Sequence, residues 1–208
     1  GVGKHIYELL EAHHITVVDA TCPFVKKIHR IISEAKEKGQ QPVIIGTRAH
    51  PEVQAIAGWC SAPLVFESPE EFASWLADDA KRTEIPIRMV CQTTSTQNLW
   101  KKTCEIAKKE CTNCEIFDTI CKATEMRQKE ATALAKQCDA MVVVGDARSS
   151  NTGRLADICR QYCKHVALVD SAAELDMLLL SNAKTVGITA GASTPAWIIK
   201  EVNNKMSE

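Results

Sequence analysis

Asp19-Ala20-Thr21-Cys22 returns 99 residues later as Asp118-Thr119-Ile120-Cys121. Val43-Ile44-Ile45-Gly46 returns at the same offset as Val142-Val143-Val144-Gly145. Gln92-Thr93-Thr94-Ser95 finds a counterpart in Ala190-Gly191-Ala192-Ser193, which reads as an offset of 98. Self-similarity at a fixed period marks a repeated structural unit. Each copy reads in the same order. A Cys loop leads into a helix with apolar residues at helical spacing (Val25, Ile28, Ile32, Ala35; then Ala131, Leu134, Ala135). A buried strand ending in Gly follows. Next come a second strand (Leu64 to Phe66; Val166 to Val169), a Ser-capped helix start at Ser68 or Ser171, and a third strand (Ile87 to Val90; Thr185 to Ile188) ending in a hydroxyl-rich turn. A last helix closes each copy.

Strands alternating with helices imply an α/β fold in which each copy is a parallel sheet covered on both faces. Ligands of such sheets bind outside the carboxyl ends of the strands, where the marked Cys, Gly and Ser/Thr turns fall. The helix expected over Lys4 to His13 and the strand expected over Ile15 to Val18 match Leu99 to Lys109 and Glu115 to Phe117, which precede Asp118. Residues 1–18 therefore read as the C-terminal remnant of a first α/β domain, residues 19–117 as a second and residues 118–208 as a third. The parent would hold three copies around a pseudo-threefold axis. The opening Gly1-Val2-Gly3-Lys4, which has no Met and no secretory signal, reads as a cut inside a longer chain.

Composition narrows the function. The 208 residues carry a net charge of −1, so no basic excess draws the chain to nucleic acid or an anionic membrane. No apolar run is long enough to span a bilayer. Ten cysteines in a chain patterned for helices and strands suggest reduced thiols and a cytoplasmic location.

Cys22 and Cys121 occupy equivalent loops, and three such thiolates near one axis could hold three irons of a cubane cluster. A single cysteine is more often a small buried apolar residue; repetition at the same loop is what argues for a ligand. Cys111-x-x-Cys114 is a rival as half of a zinc site, without a second pair at suitable spacing. Cys159 and Cys163 read as thiols on a helix face. His50-Pro51-Glu52, after the strand-ending Gly46, suits proton transfer or anion binding, and equally a capped turn. Ser149-Ser150-Asn151, Thr93-Thr94-Ser95 and Ser193 suit a phosphate or diphosphate, and each alone suits a helix cap. Neither a G-x-x-x-x-G-K nor a G-x-G-x-x-G pattern is present, so nucleotide binding lacks support.

Six motifs in order, Asp19-Ala20-Thr21-Cys22-Pro23, His50-Pro51-Glu52-Val53, Gln92-Thr93-Thr94, Asp118-Thr119-Ile120-Cys121, Ser149-Ser150-Asn151 and Thr189-Ala190-Gly191-Ala192-Ser193, resemble the 4-hydroxy-3-methylbut-2-enyl diphosphate reductase family across essentially the whole chain. The resemblance implies three similar α/β domains around a 4Fe-4S cluster, with two of the three cysteine ligands matching Cys22 and Cys121. It implies Glu52 as catalytic acid and Thr93 in the proton path. His50, Thr94, Ser149, Ser150, Asn151 and Ser193 would bind the allylic diphosphate, with Thr93 beside them. The implied reaction is a two-electron, two-proton reductive dehydroxylation yielding isopentenyl and dimethylallyl diphosphate, with electrons from ferredoxin or flavodoxin. The family's first cysteine ligand and two substrate-binding histidines would precede Gly1. The 208 residues alone are therefore expected to hold no intact cluster and to be inactive. Thr47, Lys122 and Arg148 depart from the family pattern of His, an aromatic and Asn. Two other readings stand beside this one: a non-catalytic diphosphate-binding module, and a zinc-stabilised interaction domain built on Cys111 and Cys114.

Overall fold

The computed structural model describes residues 1–207, which divide into two compact units, residues 1–121 and residues 122–207. The first unit contains α1 (Lys4–Ala12), α2 (Pro23–Ser33), β1 (Gln41–Ile45), α3 (Pro51–Ala57), β2 (Leu64–Phe66), α4 (Pro69–Ala77), β3 (Ile87–Cys91), α5 (Gln97–Glu110) and β4 (Cys114–Ile116). Its strands form one parallel sheet in the order β2-β1-β3-β4. The side-chain alternation of β1 and β3 sorts two cores. Val43, Ile45, Ile87, Met89 and Cys91 face Phe72 and Leu76 of α4 and Trp100 and Ala107 of α5. Ile44 and Val90 face Ile28, Ile31 and Ile32 of α2 and Val53 and Ile56 of α3.

The second unit contains α6 (Lys122–Ala135), β5 (Ala140–Val144), α7 (Ser150–Tyr162), β6 (His165–Val169), β7 (Val186–Ala190) and α8 (Ala196–Met206), with a parallel sheet in the order β6-β5-β7. Met141 and Val143 pack with Ala131, Ala135 and Leu155, while Val142 and Val144 pack with Leu175, Leu180 and Val202. The strand order of β6-β5-β7 repeats that of β2-β1-β3, central strand first in sequence.

The register corrects one reading. The third-strand turns are offset by 99, not 98: Ile45 pairs with Cys91 as Val144 pairs with Ala190. The amide of Gln92 donates to the Ile45 carbonyl as the amide of Gly191 donates to Val144. Hydrogen bonding fixes the phase, so Gln92 corresponds to Gly191, Thr93 to Ala192 and Thr94 to Ser193.

Three local expectations also change. Ile15 to Val18 forms no strand; it is exposed and has no neighbouring strand among the described residues, and an unpaired strand has no ladder to stabilise it. The segment before it belongs to the first unit: the Trp59 indole N–H donates to the Val2 carbonyl at 2.8 Å, and the Lys4 amide to Gly58. Ser171 starts only a turn of 3-10 helix, Ala172–Glu174, with no side-chain cap, whereas the Ser68 hydroxyl accepts from the Glu71 amide at 3.1 Å and α4 forms behind it. Pro69 at the first helical position and the acidic pair Glu70-Glu71 favour that helix; the second copy has neither. Leu134 of α6 is exposed, and the small Ala131 and Ala135 make the buried face instead.

Candidate functional site

The carboxyl edge of the first sheet carries the exits of β1 and β3 and the residues after β4. Helices that connect parallel strands run back across the sheet, so their first turns also lie at that edge. That places His50-Pro51-Glu52 at the start of α3, and Cys22 at the start of α2, on the same edge. Pro51 at the first helical position presets the backbone, and the His50 Nδ1 accepts from the Glu52 amide at 3.1 Å. A ring nitrogen that accepts this bond leaves the imidazole proton on Nε2, which is then a donor to whatever lies outside. The capping and anion-binding readings of His50 are thus compatible, one for each nitrogen.

Glu52 is held by both polar groups of Thr93. The Thr93 amide donates to Oε1 at 2.7 Å and its hydroxyl to Oε2 at 2.8 Å. Thr93 in turn receives, at its carbonyl, the amide of Cys121 at 3.0 Å. A carboxylate, a threonine and a cysteine are therefore joined in one hydrogen-bonded run. Gln92, to which the sequence assigned no role, builds the frame around them. Its Oε1 accepts from the Thr47 amide at 3.1 Å, and its Nε2 donates to the Thr94 hydroxyl at 2.9 Å. The fit needs glycine at position 46, because a Cβ there would lie 2.7 Å from the Gln92 Cβ. Thr94 thus has a structural partner inside the turn, which its hydroxyl alone did not reveal.

The two cysteine loops share a turn. The Thr21 amide donates to the Asp19 carboxylate at 2.9 Å, and the Ile120 amide to the Asp118 carboxylate at 3.2 Å. Lys26 also pairs with Asp19 at 2.8 Å, and its hydrogen bond to that carboxylate is the main reason Asp19 is held well below the usual carboxylate range. Cys22 is exposed ahead of Pro23, and Cys121 is half-buried ahead of α6.

In the second unit, Gly145 ends β5 with φ of +137°, and a Cβ there would meet the Thr194 hydroxyl at 2.4 Å. The loop beyond it carries Ser149, Ser150 and Asn151 into the first turn of α7. Ser149 stands at the cap position without making a side-chain cap bond. Asn151 is 6% exposed, yet neither its Oδ1 nor its Nδ2 has a hydrogen-bond partner. Burying an amide with no partner is costly, and native proteins rarely do it without a ligand or water. Ser193 is exposed in the turn after β7, where the Thr194 hydroxyl donates to the Val144 carbonyl at 3.0 Å and ties this turn to β5. Arg148 folds back on Asp146 at 2.8 Å and Lys122 opens α6.

The profile of the LytB protein family matches residues 1–207. The chain belongs to the LytB family. Among the relatives of this LytB chain is the 4-hydroxy-3-methylbut-2-enyl diphosphate reductase of Caldanaerobacter subterraneus subsp. tengcongensis, 39% identical over 206 residues that cover 99% of the chain and 70% of the relative. The reductase of Alkaliphilus oremlandii is 41% identical over 212 residues, covering 100% of the chain and 73% of the relative. The longer reductase of Clostridium acetobutylicum, 39% identical, is covered over only 32% of its length, against 100% of the chain. A solved (E)-4-hydroxy-3-methyl-but-2-enyl diphosphate reductase, described as the terminal enzyme of the non-mevalonate pathway, matches 100% of the chain with a TM-score of 0.62 and 30% identity over 73% of its own length. The Plasmodium falciparum reductase structure shares the fold at a TM-score of 0.90 and 23% identity, covering 100% of the chain and 65% of the neighbour.

The donor chemistry of the LytB chain fits an iron–sulfur cluster only in part. Cys22 and Cys121 offer two thiols at equivalent turns, but no group of three or more His, Cys, Asp or Glu able to hold a metal forms among the described residues. The other cysteines near the sheet are packed as small apolar residues. Cys111 and Cys114 pack on the core beside β3 and β4, where burial pushes the Cys114 thiol up to about 12 and also raises Cys111. Cys104 and Cys159 are pushed to about 11 by burial as well. No helix among the described residues is long and apolar enough to cross a membrane.

Proposed function

We propose that this LytB chain contributes the acid and the diphosphate-binding residues of an enzyme that removes the hydroxyl of 4-hydroxy-3-methylbut-2-enyl diphosphate, giving isopentenyl and dimethylallyl diphosphate. The observation that carries the reading is the run from Glu52 through Thr93 to Cys121. Two electrons and two protons enter and one water leaves. Glu52 delivers a proton to the departing hydroxyl, so that it leaves as water. Thr93 holds both carboxylate oxygens and so fixes where that proton is released. In the first unit the Nε2–H of His50 is a donor for anionic oxygens, and in the second the amide of Asn151 and the hydroxyls of Ser149, Ser150 and Ser193 are donors for diphosphate oxygens. Thr94 serves this role through the turn that Gln92 braces. A 4Fe-4S cluster, when bound, would supply the electrons and a Lewis-acid site for the leaving oxygen, with Cys22 and Cys121 among its ligands. Ferredoxin or flavodoxin suits the one-electron delivery, and the reaction belongs in the cytoplasm.

The test is anaerobic loading with iron and sulfide, followed by substrate and a low-potential one-electron donor. With two thiols the 208 residues alone should load less than one cluster per chain and give no turnover, while still binding inorganic pyrophosphate. Cluster loading with turnover in the 208 residues alone would overturn the two-thiol account. Failure of pyrophosphate to bind would overturn the diphosphate assignment.

A further inference from the structure

After Phe117 donates its amide to Met89, the chain leaves the first sheet, yet the next rung of the ladder is still filled. The Thr119 hydroxyl sits between the two backbone groups of Cys91: it accepts from the Cys91 amide at 2.8 Å and donates to the Cys91 carbonyl at 2.5 Å. A side chain thus replaces a strand residue at the end of β3. Two residues on, the Cys121 amide reaches the Thr93 carbonyl at 3.0 Å. The loop Asp118–Cys121 is stitched to the exit of β3 by one side-chain rung and one backbone rung.

The equivalent loop before α2 has no such stitch. Position 20, which corresponds to Thr119, is an alanine with no hydroxyl. That loop has its internal turn, the Lys26 pair and a long 3.5 Å contact between the Thr21 and Tyr7 hydroxyls, none of them to the exit of a strand, and Cys22 is exposed. Asp118 makes the matching internal turn in its own loop, so the turn alone does not explain the difference in anchoring.

We propose that Thr119 is the positioning residue that holds the Cys121 sulfur in register with the Glu52–Thr93 pair, so that a group bound by Cys121 meets the acid at a fixed distance. Removing the hydroxyl leaves a buried amide and a buried carbonyl of Cys91 unpaired at the point where the loop departs, and the second rung then stands alone. The proposal takes the ligand role of Cys121 from the reading above, but its test needs no metal.

The test is amide hydrogen exchange in the 208-residue protein with Thr119→Val and Thr119→Ser. In Thr119→Val the Cys121 amide should exchange about tenfold faster or more, as a local opening, while the amides of Val90 and Val143 stay protected. Thr119→Ser restores the hydroxyl and should bring Cys121 back near the parent rate. The rate of iodoacetamide labelling at Cys121, mapped by mass spectrometry, should follow the same order. Unchanged protection of Cys121 in Thr119→Val would overturn the proposal. So would an equal loss of protection across β1 and β3, which would mark a general stability role. If Thr119→Val does not fold, Thr119→Ala and Thr119→Ser are compared in the same way, with the same two outcomes. The ligand role fails separately, if Cys121→Ser takes up as much iron as the parent.

Discussion

At the first turn of α3 the chain places Glu52, and 99 residues on, at the first turn of α7, it places Asn151. The backbones around them are built alike, each behind a strand-ending glycine and beside the turn of a third strand. The partners differ. Glu52 has both oxygens occupied by Thr93, whereas the position matching Thr93 is Ala192, and Asn151 is buried with no partner. One copy keeps a proton-carrying group and defines its geometry from within the protein. The other keeps a neutral amide whose oxygen and nitrogen have no partner among the described residues. On the proposed reading, one difference of charge and one of hydroxyl separate acid chemistry from binding on a duplicated scaffold.

The sheets beneath the two sites differ as well, and that gives the largest expected effect. Arg88 of β3 is buried and bonds to Glu34, Glu115, Gln40 and the Ile31 carbonyl, with Phe117 stacked 4.8 Å from its guanidinium. The position in register with it in the second sheet is Gly187, which lies against Met141. Arg88→Met should destabilise the first unit by about 3 kcal/mol, because it removes the donor from the Ile31 carbonyl and Gln40 and two charge-assisted bonds to the half-exposed Glu34 and Glu115. Chemical denaturation with exchange readouts should show the loss on β3 and not on β5.

A smaller effect bears on the acid. Thr93→Val removes one of the two donors to Glu52 and should cost about 2 kcal/mol, as for a hydrogen bond to a charged group. The same variant should leave pyrophosphate affinity within about twofold of the unsubstituted protein, as titration calorimetry would show. The converse change sharpens the contrast. Ala192→Thr offers Asn151 the partner that Glu52 has; stability should rise by up to about 1 kcal/mol, and pyrophosphate affinity should fall. A gain in affinity would break the comparison.

The smallest effect concerns pH. Burial against Trp59, with rings stacked 4.9 Å apart, lowers His29 from 6.5 to about 4. The unfolded chain therefore takes up this proton first, and stability should decline as pH falls from 6.5 toward 4, with no contribution from His29 above that range. His29→Phe keeps the stack and should flatten that part of the melting-temperature profile relative to the parent.

Much of this was legible in the sequence. The repeat, the parallel sheets and the edge that carries the site all follow from apolar runs and turn residues. The motifs that carry the family resemblance contain Glu52 and Thr93, which the structure joins by hydrogen bonds, and Asn151, which it buries without a partner. The phase of the third-strand turn was not legible, because Thr, Ser, Ala and Gly align equally well at two offsets until hydrogen bonds choose one. Gln92 and Thr119 act through backbone partners distant in sequence, and no local pattern announces such bonds. Ile15 to Val18 has strand composition, but a strand exists only when another lies beside it. Ser171 resembles Ser68 in type, yet lacks the Pro69 that starts a helix.

The most direct measurement of the division between the two copies is a calorimetric titration of inorganic pyrophosphate into the parent, Glu52→Gln and Asn151→Ala proteins. The account predicts that Asn151→Ala weakens binding about tenfold or more and Glu52→Gln changes it little, since of these two only Asn151 has hydrogen-bonding groups left unpaired by the protein. Equal affinity in the parent and Asn151→Ala, or a larger loss in Glu52→Gln, would contradict it.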